Sequence, residues 1–446
     1  MKRRTLLAGA AALAASPAPF ARAQGQGGAR TKVVFWFGLT GPLGEEVQRL
    51  VAGFNAAQPE YEVEAIYKGS YPETLTAAIA AWRANQAPHL VQMFEVGTGS
   101  MLAAGRAVKQ IWQLSQETGV AINPDAYIPA VRGYYSLPDG RLASMPFNSS
   151  TAVMWINKDA FERAGLDPDK PPATWPEVVS AARALREKQQ PPMTTAWFSW
   201  TQLEQYAALH GLPFATKANG FEGLDTELRV NALEFVKHLQ RIMDMAKEGT
   251  FRYTGRDNTP EALFPAGEAP IFFTSSGFRA QITREAKFRW APAFLPYDPE
   301  ITTTPGNSVI GGASLWPMTA PNRTAAEYKG VATFLAHLAR PEVDAEWHQR
   351  TGYVPVTTAG YEESRRQGFY ERNPGVDLPI RQLLRGQMGP NSRGFRLGRM
   401  VELRNIAYEE VERALQGQQG AQAALDAVVA RGNRVLRDFE RANRAS

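Results

Sequence analysis

Apolar residues recur along the first hundred positions in two alternating periods, and these set the order of elements. Residues 32–37 are a short apolar run, and residues 61–67 (YEVEAIY) alternate with a period of two, as strands do. Between them Val47, Leu50, Val51 and Phe54 return at helical spacing behind Pro42, with Thr40 or Gly41 near the cap. That predicts a helix laid on a sheet. A second helix over 72–83 and a third strand over 89–94 follow. Strand, helix, strand, helix, strand predicts a doubly wound α/β unit. In such units ligands sit beyond the carboxyl ends of the strands, here residues 38–40, 68–71 and 95–97.

The chain is tied together at residues 141–166. An apolar run to Phe147, the polar run Asn148-Ser149-Ser150-Thr151 and a second apolar run over 152–156 read as a strand, a hydroxyl-rich crossing and another strand. Hydroxyls at such a crossing are free to donate to a ligand; the same pattern is equally that of an ordinary polar turn. Asn157 to Asp159 carry capping chemistry for a short helix that Gly165 ends. Helical spacing then dominates, over 175–188, 201–210, 231–248, 324–338, 341–350, 399–415 and 420–442. Strands over 271–277 and 308–316 carry hydroxyls and glycines, and residues 352–356 read as extended. No internal repeat is visible.

Composition narrows the chemistry. At 446 residues, 44% apolar, the chain can form two or three domains with real cores. It has no cysteine, which excludes disulfides, thiolate metal sites, a cysteine nucleophile and an acylated N-terminal cysteine. Residues 1–23 read as a signal peptide: Lys2-Arg3-Arg4, an alanine-rich apolar run over 6–15, and an Ala21-Arg22-Ala23 cleavage site. The paired arginines fit the twin-arginine route, and the general secretory route fits as well. That segment holds four basic residues and no acid, so its removal takes the formal charge from +5 to +1 and argues against a nucleic-acid partner. The five histidines show no metal-ligand spacing, and there is no G-x-S-x-G elbow or phosphate-binding loop.

Several spaced motifs together carry a resemblance. They are MWINKDAFERAGL from Met154, PATWPE over 172–177, YKGSY over 67–71, FEVGT over 94–98, PFNSST over 146–151, IGGASLW over 310–316, EWHQRTGY over 346–353 and RLG over 396–398. In this order the chain resembles the extracytoplasmic solute-binding proteins of the maltose-binding type, and within them the glycerol-3-phosphate-binding components of ABC importers. The resemblance implies a type II periplasmic binding protein fold of α/β class, with two lobes, three hinge crossings and ligand in the inter-lobe cleft. Residues 30–148 with 312–352 would form one lobe and 151–308 with 356–446 the other. The crossings would be 148–151, 308–312 and 353–356. A monomeric periplasmic protein is implied, without cofactor or metal, delivering sn-glycerol-3-phosphate or a glycerophosphodiester to a permease and ATPase in the inner membrane.

Carried over residue by residue, the resemblance places ligand contacts at Tyr71, Glu95, Ser150, Ser275, Gly312, Tyr353 and Arg404. Alone, Arg404 is one basic residue on a helix, and Ser275 or Gly312 a turn residue. As a set, Arg404 offers phosphate a planar charged fork, Ser150, Ser275 and Tyr353 offer hydroxyls, and Gly312 offers a close backbone N–H. Glu95, with Tyr71 beside it, suits glycerol hydroxyls at the opposite end. Trp197 and Trp200 are either core packing or an aromatic wall for a quaternary ammonium, which would favour glycerophosphocholine. Phe37 departs from the family, which more often has histidine there, and this puts a polar contact at the cleft edge in doubt. The rival readings are a neutral-oligosaccharide binder on the same fold and a secreted phosphodiesterase or glycosidase.

Overall fold

The computed structural model describes residues 29–444. The expected signal peptide lies outside the described residues. Strands β1 (Thr31–Phe37), β2 (Tyr61–Tyr67), β3 (Leu90–Phe94), β4 (Met145–Asn157), β5 (Thr194–Thr195), β6 (Ile271–Ser275), β7 (Trp290–Ala293) and β8 (Ile310–Pro317) join in one sheet of order β2-β1-β3-β8-β4-β6-β5, with β7 also on β4. The β1–β2, β1–β3 and β5–β6 pairs are parallel; β3–β8, β4–β8, β4–β6 and β4–β7 are antiparallel.

The helix α1 (Gly41–Ala57) starts behind Thr40 with Pro42 in its first turn and buries Val47, Leu50, Val51 and Phe54, the four residues whose spacing announced it. The face of β1 that carries Val33, Phe35 and Phe37 packs in the same cluster, against Phe334 and Leu335 of the helix Ala325–Leu338. Phe37 is therefore a core residue, and the departure there removes no polar group from the cleft. The helix α2 (Tyr71–Arg83) opens with a capping box, Ser70 with Glu73, and with Pro72.

One expectation is overturned at residues 145–157. The chain makes no turn there: β4 is a single thirteen-residue strand, buried throughout. Its first half, to Thr151, pairs with β8, and its second half, from Ala152, pairs with β6 and β7. The polar run stays in the strand because neighbours satisfy it. Gln92 Nε2 donates to Asn148 Oδ1 at 2.8 Å, and Thr151 Oγ1 bonds to Ser308 Oγ at 2.8 Å. The segment around Val354 lies against the same stretch, its N–H donating to the Ser149 carbonyl at 2.8 Å. Residues 148–151, 308–312 and 353–356 thus meet at the middle of the sheet.

Candidate functional site

A cavity of about 350 Å³ opens beside this meeting point, and all nine residues singled out from the sequence line it. Its volume is within the range of small-molecule sites. Two of those residues come from strand ends on the β1–β3 side. The capping box sets Tyr71 in the first turn of α2, where its ring stacks on Phe94 at 5.3 Å between centroids. Glu95 follows Phe94 directly, in a 3₁₀ turn Glu95–Gly97 at the carboxyl end of β3.

The position of Arg404 corrects the expected polarity of the site. The helix Met400–Leu415 carries it into the cavity wall, where Nε and Nη2 donate to the two oxygens of Glu204 at 2.8 and 2.7 Å. Nη2 also donates to Glu95 Oε1 at 2.7 Å. Acid and base are therefore neighbours at one end of the cavity, not opposite poles, and most of the guanidinium fork is already engaged. Only Nη1 remains without a protein partner among the described residues. All three side chains are buried. Burial alone would lower the Arg404 pKa, but the two carboxylates hold it well above the usual arginine range. Burial pushes Glu95 upward against the pull of Arg404, with Glu204 adding to the rise.

The hydroxyls line the same cavity. Tyr353 lies flat on Trp347, with centroids 5.8 Å apart, and Trp347 in turn stacks on Phe147 at 4.9 Å. Gly277 makes room for the ring: a Cβ there would stand 2.8 Å from Tyr353 Cε1. The Tyr353 hydroxyl interacts with that of Tyr71, which also accepts from Asn148 Nδ2 at 2.8 Å. Burial pushes Tyr353 up to about 12 and Tyr71 well above the usual tyrosine range, so both remain protonated at neutral pH. Ser275 Oγ accepts from the Gly277 N–H at 3.0 Å and keeps its proton to donate. Ser150 Oγ takes no partner among the described residues.

Gly312 lines the cavity, and the pairing of β8 with β4 also requires a glycine there. Its φ is +87°, and a Cβ would fall 1.8 Å from the Asn148 carbonyl oxygen, so the missing side chain serves the β4 pairing. Its neighbour Gly311 seats Trp200, whose ring atom Cζ2 would be 2.3 Å from a Cβ there. Trp200 is buried and Trp197 half-buried, and both face the cavity. Trp197 holds a left-handed backbone, φ +50°, with its N–H on the Asp257 carbonyl at 2.8 Å.

Sequence reasoning missed three polar residues. Glu204 sits in a π-helical turn, Ser199–Glu204, and is two hundred positions from Arg404, so no local pattern pairs them. Glu261 lines the cavity from the short turn Thr259–Leu263, with Oε1 accepting from Thr274 Oγ1 at 2.9 Å. Gln92 links the Gly38 N–H to Asn148; a glutamine in an apolar strand run was its only signal. Among the described residues no group of acids and histidines could hold a metal ion, and no helix is long and apolar enough to cross a membrane.

Comparison with known proteins adds five findings. The family model of bacterial extracellular solute-binding proteins matches residues 49–376. The sn-glycerol-3-phosphate-binding periplasmic protein UgpB of Salmonella typhimurium is 44% identical over 423 residues, 94% of this chain and 96% of that protein. Its namesake from Pectobacterium atrosepticum is 44% identical over 418 residues, 93% of this chain and 94% of that one. Among solved structures, UgpB from Mycobacterium tuberculosis in complex with glycerophosphocholine superposes with a TM-score of 0.76 at 20% identity, covering 92% of this chain and 99% of that one. Maltose-bound MalE3 of T. maritima gives 0.72 at 17% identity, over 92% and 100%. Both share the two-lobed fold.

Proposed function

The chain belongs to the bacterial extracellular solute-binding proteins, and from that premise we propose that it binds a glycerophosphate ester in this cavity and delivers it intact to an ABC importer. The ester is sn-glycerol-3-phosphate or a glycerophosphodiester such as glycerophosphocholine. One observation carries the reading: segments scattered from residue 71 to residue 404 converge on one cavity that holds both neutral hydroxyl donors and a charge-paired acid–base set. The ligands of the named relatives support it.

The geometry supports the division of labour the sequence suggested for Glu95, Ser150, Ser275 and Tyr353, and changes it for Arg404 and Tyr71. A carboxylate beside an arginine offers acceptors and donors together, which matches the vicinal hydroxyls of glycerol, so Glu95 and Nη1 of Arg404 hold that end. The phosphate oxygens take the hydroxyls of Ser150, Ser275, Tyr71 and Tyr353, where neutral donors shielded from water bind an anion well. The two lobes, 30–148 with 312–352 and 151–308 with 356–446, close on the ester about the three segments that meet at β4. A signal peptide cleaved near Ala23 directs the monomeric protein to the periplasm.

Isothermal titration of the chain from Gln24 onward tests this. Saturable one-to-one heats with glycerol-3-phosphate or a glycerophosphodiester are expected, with the ester recovered unbroken. Binding of maltose-type sugars with no heat from any ester would overturn it in favour of the oligosaccharide reading.

A further inference from the structure

The two lobes also touch away from β4, and two arginines make the contact in the same way. Arg396 precedes the helix Met400–Leu415 and reaches across to the helix Pro129–Tyr135, where Nη2 bonds the Tyr134 carbonyl and donates to the Ser136 carbonyl at 2.8 Å. Arg279, just past β6, does likewise at the helix Pro341–Thr351: its Nη2 bonds the Gln349 carbonyl and donates to the His348 carbonyl at 3.1 Å. The last carbonyls of a helix lack intrahelical partners and carry the negative end of its dipole, so each guanidinium meets a ready acceptor. Neither arginine meets a carboxylate among the described residues; they lie over aromatic rings instead, Arg396 on Phe221 at 4.2 Å and Arg279 on Phe369 at 5.7 Å. Burial accordingly lowers both guanidinium pKa values to about 10. An enclosed cation held only by carbonyls is costly, which points to a role beyond filling space.

Each contact adjoins residues proposed to hold the ligand. The Tyr134 hydroxyl stands between the Phe395 carbonyl, at 2.7 Å, and the Glu95 carbonyl, at 3.0 Å, so Glu95 and the Arg396 loop share one anchor. Arg404 lies on the helix that this loop begins. Gly99 permits the approach: a Cβ there would stand 2.6 Å from the Leu397 carbonyl oxygen. At the other contact, a Cβ on Gly352 would stand 2.6 Å from the Arg279 Cβ. Tyr353 follows Gly352 in the chain, and Ser275 ends β6 on the side of Arg279. None of Arg279, Arg396 and Gly99 lines the cavity.

Resting on the lobe division and the glycerophosphate reading, we infer that Arg279 and Arg396 are positioning residues, clasps on the second lobe that grip two helix ends of the first. They bring Tyr353 to Ser275 and Glu95 to Arg404 without touching the ligand. Contacts of this kind form on closure, so they slow release more than they speed capture. The chain has no cysteine, so Glu60→Cys and Glu187→Cys, exposed and on different lobes, take a spin-label pair that reads lobe separation. In that background Gly99→Ala is a wedge that strips no buried group of its partner. It is expected to lengthen the label separation with and without ester. It should also raise the dissociation rate of glycerol-3-phosphate or glycerophosphocholine about 10-fold, with association within about twofold of wild type. Arg396→Gln is expected to act in the same direction, and Arg396→Lys, which keeps a charged donor, to recover part of the loss. An unchanged separation, an equal fall in association rate, or a Gly99→Ala chain that no longer folds would make the contact a structural one and overturn the inference. If no ester binds the wild type, the parent reading falls, and the label separation measured without ester still decides this one.

Discussion

Arg404 shows how a binding residue can also be a structural one. Three charged side chains with almost no exposed surface stay in place because the guanidinium faces one carboxylate with two donors and a second with one. Removing it leaves Glu95 and Glu204 buried and facing each other. Arg404→Ala is therefore expected to lose about 3–5 kcal/mol of unfolding free energy at pH 7 as well as ligand affinity. Urea denaturation should show that loss shrinking toward pH 5 as a carboxylate takes up a proton; full stability at pH 7 would contradict the pairing. Glu261 makes a separate pH prediction. Its pKa rises from 4.5 to about 7 on folding, so between those values the native state holds more of its proton than the unfolded chain. Its contribution therefore falls as pH rises through that window. Glutamine cannot titrate, so Glu261→Gln should gain stability relative to wild type from pH 5 to pH 8. A difference constant with pH would show that Glu261 does not titrate as described.

At the scale of elements, the sheet is organised by β4 and by two adjacent glycines on β8. Gly312→Ala places a Cβ on the Asn148 carbonyl and in a left-handed backbone, which alone costs about 1–3 kcal/mol. A clear drop in melting temperature is expected, and an unchanged one would mean β4 and β8 do not pair in this register. Gly311→Ala has no backbone penalty but drives Trp200 from its seat. It should shift the tryptophan fluorescence and weaken ligand binding while changing stability less than Gly312→Ala. Local pattern made β1, α1 and β2 legible to within a residue, because period and capping are written in neighbouring positions. It places the change of partner in β4 at Asn148 to Thr151 but breaks the strand there, because those polar residues read as a crossing or a turn until their partners, Gln92, Tyr71 and Ser308, are brought from distant parts of the chain. The π-helical turn that presents Glu204 was likewise read as ordinary helix.

Across the whole molecule, the cavity exists only where the three segments at β4 meet, and its parts span most of the chain. Motif resemblance brought seven lining residues together, but their roles depend on which partner each one keeps. The sequence offers no means of knowing that Arg404 is spoken for by Glu204, that Gly312 serves a strand, or that Glu261 stands unpaired. Those pairings move Arg404 from the phosphate to the glycerol end of the proposed site. A crystal structure with a bound glycerophosphodiester tests this orientation most directly. The glycerol hydroxyls are expected on Glu95 and Arg404 Nη1, with the phosphate among Ser150, Ser275, Tyr71 and Tyr353. Phosphate oxygens seated on Arg404, or an ester bound away from this cavity, would contradict the account.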